Sequence, residues 1–326
     1  MPARLDFLII ILLVAAQLLG QEPKVTIDQI SPKSLTFFGP SESLAEELHV
    51  RALNQQVTTL ESVSLQQHTV SNAEIRSLAA CKRLVALEIG DYPDSVVVEQ
   101  GVIDVISKLT TLESLSIYAS DISFRDVEQL KSLDKLKYLT LFGKWQDEPG
   151  AVSWLGNCPK LESLIIDGVI NEDFNWLSRL TQLQFLSVRT NKLDRSFFVS
   201  LDNAQELRGL AIDLAVFGSD ELNMLSSTHG NAIRTLEIAI EDSKQFELLS
   251  RFPKLERLGL AIKKGGVVNL DFVQHCKGLK SVHIRGGEVR EQNLECLDKH
   301  GTLQHFIVTD EKGTKERFAW SENLKP

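Results

Sequence analysis

One spacing recurs along almost the whole chain. An apolar residue, two others, an apolar residue, one other and a third apolar residue begin at Leu60 as LESVSL. The same pattern starts again at Leu84, Leu112, Leu136, Leu161, Leu183, Leu207, Ile233, Leu255, Leu279 and Leu303. The steps between starts are 24, 28, 24, 25, 22, 24, 26, 22, 24 and 24 residues. Apolar residues also stand six and three positions ahead of each start, the former usually leucine, as at Leu78, Leu130, Leu177, Leu201, Leu249 and Leu297. Each start alternates its side chains as a strand does, whereas the connecting stretches take helical spacing, as in SFRDVEQLKSLDKL from Ser123. SNAE at Ser71 fits a capping box, with Ser71 accepting from the helix backbone and Glu74 reaching back. A single strand–turn–helix unit cannot bury its own apolar face. Such a chain must stack its units into one continuous core between a parallel sheet and a helical layer.

These residues carry a resemblance to the leucine-rich-repeat family, whose pattern L-x-x-L-x-L-x-x-N-x-L repeats every 20–29 residues or about that. The resemblance spans Leu60 to Val308 and implies an α/β leucine-rich-repeat solenoid, a horseshoe or arc with parallel strands on the concave face and short helices on the convex face. LQFLSVRTNKL, from Leu183, matches the pattern best, and the resemblance implies that Asn191 braces the turn after its strand. Residues 21–59 are expected to form an N-terminal cap with a degenerate strand at Lys33 to Phe38, residues 60–308 the eleven repeats, and residues 309–326 a C-terminal cap.

The first twenty residues, MPARLDFLIIILLVAAQLLG, read as a signal peptide: Arg4 supplies charge, an apolar core follows, and small residues at Ala16 and Gly20 offer cleavage sites. The apolar run is shorter than the roughly 18–20 residues a spanning helix needs. The mature chain is therefore expected to be exported, periplasmic or secreted, touching the membrane only through its leader. The absence of any N-x-S/T sequon favours a bacterial source. Of the four cysteines, Cys81, Cys158 and Cys276 each lie three residues before a repeat start, where other copies hold Val57, Leu109, Leu133, Leu180 and Phe252. They read as small buried hydrophobes. Cys276 and Cys296 lie in neighbouring repeats, so a bridge between them stays open.

In the family the concave face is the usual partner-binding surface, and its exposed positions lie two, four and six residues after each start. Two groups stand out there. Tyr118, Phe142, Tyr138 and Phe185, with Tyr92 and Trp145 from inserted loops, are expected to form an aromatic patch, because such rings give large contact area with little entropy loss. The alternative is that the rings fill gaps beneath the insertions. Arg257, Ser281, His283, Arg285 and His305 form a basic group near the C-terminal end. On a chain with net charge −9, such a patch can attract an acidic partner. A metal site at His283 and His305 lacks an evident third ligand. Asp167, Arg189 and Asp213 alternate in sign across adjacent strands, as cross-strand ion pairs do.

The acidic balance argues against nucleic acid, which needs a clustered basic surface. No H-E-x-x-H, G-x-S-x-G, Walker or dinucleotide-binding pattern occurs, so neither catalysis nor a cofactor is expected. The functional expectation, as the resemblance implies, is noncatalytic recognition of a protein or peptide on the concave face. Carbohydrate binding through the aromatic rings, or a spacer role in a cell-envelope assembly, are the alternatives.

Overall fold

The computed structural model describes residues 33–37, 57–66, 69–90, 96–119, 122–143, 152–169, 173–191, 193–264, 267–287, 297, 300–309 and 315–319. The leader, Tyr92, Trp145 and Cys296 lie outside the described residues. Every repeat start is followed, two residues on, by a strand. These strands are β2 (Ser62–Leu65), β4 (Ala86–Ile89), β6 (Ser114–Tyr118), β7 (Tyr138–Phe142), β8 (Ser163–Val169), β9 (Phe185–Thr190), β10 (Gly209–Phe217), β11 (Thr235–Ile240), β12 (Arg257–Ile262), β13 (Ser281–Arg285) and β14 (His305–Thr309). A further strand, β1 (Ser34–Phe37), falls within the KSLTFF stretch. The architecture is a leucine-rich-repeat α/β solenoid.

The chain divides into two units, one ending at Leu183 and one running on from Gln184. In the first, β1, β2, β4, β6, β7 and β8 pair in sequence order, all parallel. Two short strands, β3 (Thr69–Val70) and β5 (Val97–Val98), form a small parallel sheet of their own. In the second, β9 to β14 are likewise parallel neighbours. Its last strand, β15 (Lys315–Ala319), runs antiparallel to β14.

The register is set by a repeated hydrogen-bond device. The residue one position after a start offers its carbonyl to two consecutive amides of the next repeat. Glu113 O accepts from Lys137 N at 2.8 Å and Tyr138 N at 3.0 Å; Lys137 O accepts from Glu162 N and Ser163 N in the same way. In the second unit, Arg234 O accepts from Glu256 N and Arg257 N, and Glu256 O from Lys280 N and Ser281 N. Side chains at this edge add ion pairs, Lys137 with Glu113, and Glu256 with both Arg234 and Lys280.

The core lies between the strands and the connecting helices. Leu115, Leu139, Leu164, Leu186, Leu210, Leu236 and Leu258, each three residues after a start, are buried, as are the leucines at most starts. Cys81, Cys158 and Cys276 are buried free thiols at the turn that leads back into the sheet. In each case the cysteine's amide donates to a carbonyl three residues earlier and its carbonyl accepts from the start leucine. The Cys276 thiol also lies 3.4 Å from Phe252 O. Burial pushes the Cys81 thiol up, and the Cys158 and Cys276 thiols up to about 11.

The connecting helices vary in length and in type. True α-helix occurs at Asn72–Ser77, Val102–Ile106, Phe124–Val127, Arg195–Leu201 and Ser219–His229, the last and longest in a 26-residue step. 3-10 helix stands in the two 22-residue steps, at Asn175–Arg179 and Ser243–Arg251, and also in longer steps, at Ser153–Asn157 and Asp271–His275. A 3-10 turn rises about 2.0 Å per residue, so it spans a given distance with fewer residues than an α-turn. The capping box at Ser71 is formed, with Glu74 N donating to Ser71 Oγ and Ser71 N donating to Glu74 Oε2 at 2.7 Å. A second box joins Ser123 and Asp126. Asn191, by contrast, is exposed and makes no side-chain hydrogen bond among the described residues. The expectation that it braces a turn is corrected: the paired amides at the opposite end of each strand already hold the repeats.

Proline at position 137 removes the amide given to Glu113 O. Lys137→Pro is therefore expected to lower unfolding free energy by about 1–3 kcal/mol, while Lys137→Ala, which loses only a surface ion pair, leaves the urea midpoint nearly unchanged. Equal midpoints for the two variants would refute the role assigned to the ladder. Iodoacetamide at mildly alkaline pH should leave Cys81, Cys158 and Cys276 unlabelled in the folded protein and label them once urea unfolds it, read by peptide mass spectrometry.

Candidate functional site

The strand face turned away from the helices carries the residues two and four positions after each start. Among the described residues of the first unit, two members of the expected aromatic patch are packed away from the surface. Tyr118 and Phe142, in register on β6 and β7, are only 6% and 5% exposed. Their rings stack at 5.0 Å and 16°. A neighbouring turn lies close to Tyr118: Gly90 has φ +78, and a Cβ there would stand 2.7 Å from Tyr118 O and 3.1 Å from Tyr118 Cβ and Val96 Cγ1. Tyr118 and Phe142 are packing residues, and their expected role as exposed contacts is corrected. Tyr138 is half-buried, its hydroxyl 3.2 Å from Glu162 Oε2. Burial raises its pKa, and the adjacent carboxylate adds to that.

Trp154 and Trp176 are buried on the 3-10 helices Ser153–Asn157 and Asn175–Arg179, and the Trp176 ring tilts against Phe174 at 5.9 Å. They are core, as their position seven residues before a start suggests.

In the second unit Phe185 is also buried, so it is not an exposed anchor either. Arg189 and Asp213 face each other on β9 and β10 and form an ion pair, Nε to Oδ2 3.0 Å. The basic residues do come together. Arg257, Ser281 and His305 occupy one row across β12, β13 and β14. His283 aligns with Gly259 and Ile307, and Arg285 with Ala261 and Thr309. Arg257 and Arg285 are partly exposed and His305 is exposed, whereas His283 is nearly buried, its Nε2 3.2 Å from Thr309 Oγ1. Among the described residues no group of three His, Cys, Asp or Glu side chains is placed to hold a metal.

One residue of this region escaped the sequence reading. Glu237 on β11 stands in the row Ala211–Glu237–Gly259–His283, beside the basic group. It is 2% exposed, and neither carboxyl oxygen has a hydrogen-bond partner. Burial pushes its pKa up to about 8, against the opposing pull of Arg285 and Arg257. Burial likewise lowers the Arg257 pKa, with Glu256 and Glu237 resisting. The available signal was an acid in a column that holds one other acid, Glu88, and elsewhere Ser64, Ser116, Thr140, Ser187 or Ala211.

The architecture defines the class of protein: a leucine-rich-repeat protein, assigned from its own strand register and repeat spacing. No family model matches the sequence, and no curated protein matches it. Among solved structures, an internalin, InlF, of Listeria monocytogenes is similar at 17% identity, covering 81% of this chain and 88% of its own, with a TM-score of 0.44. Internalin C2 of the same organism gives 16% identity over 83% and 93%, with a TM-score of 0.37. A leucine-rich-repeat protein of Leptospira interrogans gives 12% over 82% and 88%, with a TM-score of 0.34. Among the described residues no helix is long and apolar enough to cross a membrane.

Since Tyr118 and Phe142 are packed rings, Phe142→Ala is expected to cost stability as a core deletion does, about 3–5 kcal/mol. A variant that unfolds at the wild-type denaturant concentration would show the ring to be surface after all.

Proposed function

We propose that the protein is a noncatalytic recognition module that binds a protein or peptide on the strand face of its second unit, through Arg257, His283, Arg285 and His305. The observation that carries this reading is the register of β12, β13 and β14. It gathers four basic or imidazole side chains from three repeats onto one face. A rigid parallel frame holds them at fixed spacing before any partner arrives, which reduces the ordering cost of binding. On a chain whose net charge is −9, this patch is a local exception in sign, and it favours acidic partners in both encounter and orientation. The leader-like composition of residues 1–20 supports an exported location for this activity. Tyr118, Phe142 and Phe185 are buried, so these three rings add nothing to a carbohydrate-stacking surface.

A photo-crosslinking amino acid at position 305 on the strand face, and at position 199 on a helix, tests the reading. Val199 is 57% exposed, so both sites are accessible. A discrete protein adduct is expected from position 305, absent from position 199 and lost when Arg257→Glu and Arg285→Glu are combined. Adducts of equal yield at both positions, or an adduct indifferent to the charge reversal, would overturn it.

A further inference from the structure

The basic group does not end at β14. The antiparallel pairing of β15 continues each of its rows by one strand: Ala319 stands opposite His305, Arg317 opposite Ile307 and Lys315 opposite Thr309. Residues directly opposite across a ladder belong to one face of the sheet, as do alternate residues of one strand. By register, positions 315 and 317 therefore fall on the face of Arg257, His283, Arg285 and His305. Glu316, opposite Val308, falls in a row that β14 gives to the core, where Val308 is buried.

From β12 to β15 the three rows of this face comprise twelve positions. Four are Lys or Arg, two are His and none is Asp or Glu. The whole chain, by contrast, has 44 Asp and Glu against 35 Lys and Arg. Two bordering acids do not cancel the patch. Glu237 lies one strand outside it, on β11, where burial favours the neutral form. Glu256 precedes β12, at the strand entrance, and is held by Arg234 and Lys280. An edge strand gains from charge of either sign, which discourages pairing with other chains. That need does not explain why both cations of β15 take the face of the basic group while its single acid takes the other. Attraction from such a surface is the summed field of its cations, so no one of them has to lack a partner within the fold.

We propose that β15 is part of the recognition surface, with Lys315 and Arg317 completing a site for a run of acidic residues in an extended peptide. This rests on the recognition reading above and sharpens it. From β12 to β15 the sheet advances three strand spacings, roughly 14 Å, which is the length of about four extended residues. A partner that meets the whole patch therefore carries about four or more consecutive acids, and the strand that closes the sheet also helps to select it.

The test uses the full chain and fluorescein-labelled hexaglutamate, with labelled hexaglutamine as control, read by fluorescence anisotropy at low salt. Saturable binding is expected for hexaglutamate alone. Lys315→Gln/Arg317→Gln should weaken it by about tenfold or more, whereas Lys315→Arg/Arg317→Lys keeps both charges and should bind like the wild type. Lys254→Gln/Lys277→Gln removes two exposed cations from turns off the strand face, so its affinity should stay within about twofold of wild type. Thermal melting is read for every variant. Should the glutamine pair melt early, Lys315→Gln and Arg317→Gln taken singly carry the same test, each expected to cost about threefold. No saturable binding of hexaglutamate, equal binding of hexaglutamine, wild-type affinity in the glutamine variants, or an equal loss in Lys254→Gln/Lys277→Gln would each overturn the proposal. If the position-305 adduct survives in Lys315→Gln/Arg317→Gln while the peptide results fail, the recognition reading stands and the part given to β15 alone falls.

Discussion

The paired acceptance at the entrance to each strand is the contact on which the remaining geometry depends. One carbonyl, on the residue after each repeat's first leucine, takes two successive amides from the following repeat, and this recurs in both units from Lys33 O to Lys280 O. A parallel ladder with an ordinary single bond at its end could slip by a residue, and a one-residue slip would turn every apolar side chain to the wrong face. Two amides on one oxygen leave a single register. The leucines three positions after the start then fall on the core, and the residues beside them fall on the open face in straight rows.

Those rows are what turn a repetitive scaffold into a site. Every row crosses the strands at one fixed position, so its chemistry is decided by residues about 22 to 28 positions apart in sequence. Arg257 and His305 become neighbours of Ser281 only through that alignment. Glycine at 259 has meaning only because Glu237 is its partner across the ladder. Variation in step length supplies the irregularity: the 26-residue step after Leu207 carries both the longest helix and the bulge in β10. The surplus residues have no place in the regular frame, and they leave it at the edge of the basic group.

The spacing in the sequence reached as far as the frame and no further. Strands two residues after each start, a capping box at Ser71 and cysteines at a core turn all follow from local periodicity and side-chain chemistry, so they were legible. The connecting helices were harder, because helical spacing alone does not separate α from 3-10: steps of 24 residues carry either, as at Arg195–Leu201 and Asp271–His275. Tyr118 and Phe142 were placed in the correct row, but alternation could not reveal that their rings stack on one another across the strands and pack out of solvent, a tertiary event. Asn191 matched a family pattern whose hydrogen-bond ladder needs the same residue in its neighbours, and the adjacent repeats have Val169 and Ala215 there. Glu237 was invisible for a related reason. Its neighbours in the row lie on other repeats, and burial cannot be read from the residue's own repeat.

The position of Glu237 separates what the fold needs from what it tolerates. Its column holds one other acid, Glu88, but Ser116, Thr140, Ser187 and Ala211 stand there in strands that pair as regularly, so nothing in the ladder requires an acid. An unpartnered buried carboxyl costs stability, since it has given up water and found no donor. Arg257 and Arg285 reduce that cost by attraction only if the group ionises, yet burial holds it near neutrality. The carboxyl is thus held between two opposing effects, burial that favours its neutral form and attraction that favours its charged one.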